Sequence, residues 1–125
     1  MQKEVQSDKA PKAIGPYSQA IVANGFVFAS GQIAIDPQTG NLVKGNTEEQ
    51  TRLVLTNLKN VIEEAGSSMA GVVKCTVFLD DLDNYARMNA VYAEFFKSPY
   101  PARAAVQVTR LPRDVQIEIE AVAVL

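Results

Sequence analysis

The 125 residues carry 12 Lys and Arg against 14 Asp and Glu, for a net charge of −2, with 47% hydrophobic and 21% charged residues. That is the composition of one folded domain spanning 1–125, and its balanced charge provides no global field to attract nucleic acid. Histidine is absent and Cys75 is the single cysteine, which excludes Ser-His-Asp triads, Cys-His dyads, multi-ligand zinc sites and an intrachain disulfide.

Taken in chain order, the opening Met1–Asp8 is polar, and no apolar run approaches membrane-spanning length. With a lone thiol fitting a reducing compartment, the cytoplasm is the expected location. Strands are expected over 17–22 and 26–30, flanking the hairpin dipeptide Asn24-Gly25, and a short one at 33–35 before the turn Asp36-Pro37-Gln38-Thr39-Gly40. Thr47-Glu48-Glu49-Gln50 reads as a capping box that starts a helix over 47–65, with Val54, Leu58, Val61, Ile62 and Ala65 on its apolar stripe and Gly66 as its stop.

A strand over 72–79 follows, and then a helix over 82–96 capped by Asp81 or Asp83. Tyr85, Met88, Tyr92 and Phe95 form its expected stripe. Strands over 102–108 and 115–124 close the chain, giving the order βββαβαββ: an α+β fold with a mixed sheet of about six strands and two helices on one face. The run Asp80-Asp81-Leu82-Asp83 reads as helix capping, and Cys75, between Val73 and Val77, as a buried structural thiol.

Several strands are apolar on both faces. Ile117, Ile119 and Ala121 alternate with Val122 and Val124 on the opposite side, and Phe26 and Phe28 oppose Val27 and Ala29. Two helices cover one sheet face, so the other is expected to be buried by symmetric self-association.

The chemistry-bearing region is Pro101-Ala102-Arg103, followed by Ile117-Glu118-Ile119-Glu120. Arg103, Ala105 and Gln107 share a strand face. If the last two strands form a hairpin pairing Val108 with Val115, that face carries Gln116, Glu118 and Glu120 opposite them. Arg103 then lies across from Glu120 and diagonal to Glu118. Such a constellation is either a cross-strand ion pair or an arginine that grips a carboxylate beside a glutamate that handles water. Tyr17 taken alone reads as an amphipathic core residue, Ser30-Gly31 as a strand end with a bend, and Asn89 as a poor helix former inside a helix.

Gly15-Pro16-Tyr17-Ser18-Gln19, Ser30-Gly31-Gln32, Asn89, Pro101-Ala102-Arg103 and Ile117-Glu118-Ile119-Glu120-Ala121 together resemble the RidA (YjgF) family over nearly the whole chain. The resemblance implies a homotrimer of chorismate-mutase-like fold, packed through the open sheet face, with ligand clefts between subunits. It implies hydrolysis of enamine and imine intermediates (2-aminoacrylate, 2-iminobutanoate, 2-iminopropanoate) to 2-keto acids and ammonia. Pyridoxal-phosphate enzymes release these intermediates, while the family itself needs no cofactor and no metal.

By position, Arg103 matches the carboxylate-binding arginine and Glu118 the glutamate that positions water. Tyr17, Ser30, Gly31, Asn89 and Ala105 match the pocket lining. One departure stands out: Ala104-Ala105 replaces the common Ser-Cys, so a thiol is absent there. A protonated imine is already electrophilic, and one placed acid–base group contributes about 10²- to 10⁴-fold. The competing functions are a non-catalytic trimer that senses a small ligand, and an RNA-acting translation inhibitor. The acidic balance and the lack of a basic aromatic stripe argue against the latter.

Overall fold

A computed structural model describes residues 1–125. Six strands form one mixed sheet: β1 (Lys3–Val5), β2 (Ala20–Ala23), β3 (Phe26–Gln32), β4 (Val72–Leu79), β5 (Ala102–Gln107) and β6 (Ile117–Val124), in the spatial order β1-β2-β3-β6-β4-β5. Helices α1 (Thr47–Glu64) and α2 (Tyr85–Phe95) pack together on one face. No helix is long and apolar enough to cross a membrane.

The order βββαβαββ holds, but its first three strands differ from those expected. The short, charged β1 runs antiparallel to β2 at the sheet edge, whereas residues 33–35 give only an isolated bridge between Ile35 and Leu42. Residues 17–19, expected as strand, form a loop fastened by the buried Gln19 side chain. Its Oε1 accepts from the Ser7 amide at 2.6 Å, and its Nε2 donates to the Pro11 carbonyl at 2.8 Å.

Helix α1 begins one residue earlier in cap register than the sequence suggests. Asn46, not Thr47, is the N-cap, and Glu49 returns the second bond of the capping box. Thr47 instead donates to Gln116 Oε1 at 2.6 Å, tying the helix start to the entry of β6. Val54, Leu55, Leu58, Val61 and Ile62 are fully buried against the sheet. On α2 the buried face is Met88, Val91 and Tyr92. Tyr85, expected in the stripe, is 39% exposed at the sheet edge. Asp81 accepts from the Asp83 amide at 2.9 Å and so caps the 3-10 turn Leu82–Asn84 that leads into α2, while α2 itself starts after Asn84, whose side chain makes no cap bond.

The largest correction concerns the last two strands. They do not form a hairpin. β5 lies parallel to β4 at the edge, as the product of a β4–α2–β5 crossover, and β6 inserts antiparallel between β3 and β4. The connection passes through a 3-10 turn (Pro112–Asp114) in which Arg113 and Asp114 take positive φ. Burial explains the placement. The face of β6 formed by Ile117, Ile119, Ala121 and Ala123 is wholly buried and suits the sheet centre under the helices, while the alanine-rich β5 suits an edge.

Residues paired across neighbouring strands point the same way, which fixes the two faces. Val27, Ala29, Cys75, Val77, Leu79, Ile117, Ile119 and Ala121 point toward the helices into one continuous core. Phe26, Phe28, Phe78, Val106, Val122 and Val124 occupy the other face together with Lys74, Thr76, Glu118 and Glu120. No helix covers that face, and Phe28 is 48% exposed. The two-sided apolar pattern in the sequence is therefore real, and the second side is open in a single chain.

Candidate functional site

Arg103 sits on the edge strand β5, in register with Cys75 and so on the helix-covered side. Its Nη1 donates to Asn89 Oδ1 at 2.8 Å and its Nη2 donates to the Tyr85 hydroxyl at 2.6 Å. The guanidinium carbon lies 4.7 Å from the Tyr92 ring centre and 5.4 Å from that of Tyr85, within the range of cation–π attraction. Tyr85, Asn89 and Tyr92 recur at helical spacing on α2 and so present one face to the arginine.

Arg103 has no carboxylate partner. The ion pairs of the chain are Arg52–Glu94, Arg87–Glu48 and Arg110–Asp114. A guanidinium has five N–H donors. Two are engaged by neutral acceptors, which leaves three and an uncompensated positive charge available to an anion. Ala105 follows on the same face and packs against the core.

Beneath Arg103, the Cys75 thiol is buried, and burial pushes its pKa up. The Tyr92 phenol is likewise raised, by burial first and then by Cys75. Both groups stay protonated and serve as packing, in keeping with the structural reading of the thiol.

Glu118 lies elsewhere. It is on β6, in register with Phe78, and therefore on the open face. β4 stands between β5 and β6, so Arg103 and Glu118 are two strand spacings apart, about 9–10 Å sideways, and on opposite sides of the sheet. The hairpin geometry that would set them across from each other is absent. Arg103 and Glu118 therefore mark two separate places on the chain.

Around Glu118 lies an open cleft of about 410 Å³ lined by Ile14, Tyr17, Ser30, Gly31, Ile33, Pro112 and Glu118. The register of β3 against β6 shifts between Ala29 and Gln32, and this irregularity brings Ser30 and Gly31 to the cleft. Ser30 Oγ donates to the Ser18 carbonyl at 2.6 Å, and its amide donates to the Gln19 carbonyl at 2.9 Å, pinning the loop that carries Tyr17. Tyr17 is 53% exposed, so it is no core residue.

The Glu118 carboxylate rests over the Cα of Gly31, where any Cβ would collide with its Oε2. Burial, and secondarily the Glu120 charge, raise the Glu118 pKa above the ordinary carboxylate value. A carboxylate so placed is a stronger base than a solvated one.

The structure thus brings Arg103, Asn89 and Ala105 together in one place and Tyr17, Ser30, Gly31 and Glu118 in another. The sequence reading missed Tyr85 and Tyr92 as supports of the arginine, having assigned both to the core stripe. Their spacing around Asn89 was the available signal. It also missed Ile14, Ile33 and Pro112, which come from loops and irregular segments and carry no periodic pattern.

Comparison with known proteins shows the family. The family described as endoribonuclease L-PSP matches residues 7–125. A RutC family protein of Pyrococcus abyssi is 57% identical over 124 residues, covering 98% of each chain. The bovine 2-iminobutanoate/2-iminopropanoate deaminase is 44% identical over 124 residues, covering 99% of this chain and 90% of its own. Among solved structures, Escherichia coli TdcF with bound serine superposes with a TM-score of 0.94 at 45% identity, covering 98% of each chain. On the strength of matches along its whole length, the chain belongs to the RidA/YjgF family.

Proposed function

We propose that the protein is a cofactor-independent deaminase that hydrolyses 2-imino acids and their enamine tautomers to 2-keto acids and ammonia, in an active site completed by a second copy of the chain. The observation that carries this reading is Arg103, partly buried, held by two neutral acceptors and lacking a counter-ion. That is a site prepared for a small anion. The names of the relatives, a 2-iminobutanoate/2-iminopropanoate deaminase among them, support the reaction class.

The two half-sites cannot serve one small molecule within a single chain, since the sheet separates them. The open face of Phe28, Val106 and Val122 is apolar enough to drive association. In a homotrimer closed through that face, the β5 edge of one copy would meet the Glu118 cleft of the next. Arg103 then holds the substrate carboxylate, and Asn89 and Tyr85 hold Arg103. Tyr17, Ser30 and Gly31 of the neighbouring cleft wall the substrate, together with Ala105 of the first copy.

Glu118 accepts a proton from water as the oxygen bonds to the imine carbon. The C=N π electrons pass to nitrogen, which takes up a proton. Collapse of the resulting carbinolamine forms the C=O bond, expels ammonia and releases the keto acid. Fixing the carboxylate orients the electrophilic carbon, and the raised basicity of Glu118 suits the proton transfer. Enzymes that use pyridoxal phosphate are the natural source of such imines.

The test supplies the imine in situ. Threonine dehydratase and threonine are incubated with and without the protein, and 2-oxobutanoate release is followed. Acceleration that disappears in Arg103→Ala supports the reading; no acceleration, or full activity in that variant, defeats it. A ligand-sensing trimer is the second reading, favoured by the serine bound to TdcF. Calorimetric binding of serine without any imine turnover would select it.

A further inference from the structure

We propose that Tyr85 is a positioning residue for the anion-binding arginine: its hydroxyl, acting with Asn89, fixes the guanidinium, and does so without competing for its charge only while it is a neutral acceptor. This rests on the reading of Arg103 given above and adds a residue that the sequence assigned to the hydrophobic core.

The geometry is specific. The Tyr85 hydroxyl accepts from Nη2 at 2.6 Å while Asn89 Oδ1 accepts from Nη1 at 2.8 Å, so one bond restrains each end of the planar fork. The hydroxyl donates to no group of the chain. Tyr85 contributes little to the core, being 39% exposed, so the ring is retained at a surface edge where its polar end is in use. Tyr92 packs at 4.7 Å from the guanidinium carbon and completes the support without offering a charge.

Neutrality of these supports matters because a carboxylate in the same place would saturate the arginine. Tyr85 can become such an anion. The Asn89 side chain first, and then the Arg103 charge, hold its phenol below the ordinary tyrosine value. The charged groups on neighbouring elements include Glu48 of α1, paired with Arg87 at 2.7 Å, and Asp80, Asp81 and Asp83 around the turn before α2, while Cys75 and Tyr92 beside Arg103 are held protonated by burial. Arg103 is the one whose charge bears on the phenol. Ionised, Tyr85 would form an internal ion pair with Arg103 and oppose a bound carboxylate.

Tyr85→Phe keeps the ring against the guanidinium and removes only the hydroxyl. The experiment measures calorimetric binding of 2-oxobutanoate, as a carboxylate probe, from pH 6 to pH 10, together with kcat and KM in the coupled assay. At neutral pH, Tyr85→Phe should weaken binding and raise KM by at least about ten-fold, the loss of one bond to a charged group, while kcat stays within about two-fold. In the unmodified protein, affinity should fall on the alkaline side; in Tyr85→Phe that fall should vanish.

Unchanged affinity in Tyr85→Phe, or an alkaline loss that persists in it, overturns the proposal. Arg103→Ala serves as the control. If that variant still binds the probe, or if the unmodified protein does not bind it, the reading of Arg103 fails and this inference with it. If Arg103→Ala abolishes binding and Tyr85→Phe is silent, only the role of Tyr85 fails.

Discussion

The carboxylate of Glu118 lies so close over Gly31 that a single methyl group at that glycine would overlap its Oε2. Gly31 has no left-handed backbone, so an alanine there meets no conformational strain; the conflict is entirely with the neighbouring side chain. The relationship separates function from stability at one position.

Gly31→Ala should therefore fold normally, since the Glu118 side chain can swing away, and the change also trims unfolded-state entropy. Turnover should fall by about 10²-fold, the scale of a displaced proton-transfer group. Melting curves and steady-state rates of the same preparation check this. Full activity would show that Glu118 need not occupy that position.

Association through the open face leads to a second expectation. Phe28 faces away from the helices, in register with Ile21 and Val122, and is 48% exposed. Phe28→Asp places a charge that a single chain can solvate and an interface cannot. Sedimentation velocity should report the single-chain mass with native circular dichroism, and deaminase activity should be lost because the half-sites part. A fully active single chain would contradict the shared site.

Replacing Arg103 by lysine tests geometry rather than charge. Lysine keeps the positive charge but cannot bond Asn89, Tyr85 and a carboxylate from one planar fork. KM in the coupled assay should rise at least about ten-fold in Arg103→Lys. Unaltered KM would mean that only charge is read.

The elevated pKa of Glu118 has consequences for both rate and stability. If the ionised carboxylate is the base, activity should fall with decreasing pH at a point above 4.5, the ordinary value for the group. Glu120→Gln removes the smaller cause and should move that limb downward. For stability, the folded chain binds this proton more tightly than the unfolded chain does. The contribution of Glu118 is therefore fully present below 4.5 and is lost as pH rises through the folded value. In the Phe28→Asp background, where no neighbouring arginine reaches it, Glu118→Gln should raise the melting temperature at pH 7 and leave it unchanged at pH 4. Equal shifts at both pH values would argue against burial as the cause.

Much of the molecule is legible locally. Val54, Leu58, Val61 and Ile62 at helical spacing predict α1, and all four are fully buried. The alternation in Ile117–Val124 predicts which side chains share a face, and β6 obeys it residue by residue. The residues that carry the family likeness, Arg103 and Glu118 among them, are also readable, because their types and order are properties of the chain.

Sequence alone could not decide which strand lies beside which. Alternation states that Arg103 and Ala105 share a face, but not whether that face looks toward α2 or away from it. The answer came from β6 leaving its sequence neighbour β5 to occupy the sheet centre, where Ile117, Ile119, Ala121 and Ala123 are buried more completely under the helices than they would be at an edge. That gain is a sum over contacts from distant parts of the chain, and no local window contains it. It put Arg103 under α2 and Glu118 on the opposite side of the sheet, which is why the proposed site needs a second copy of the chain.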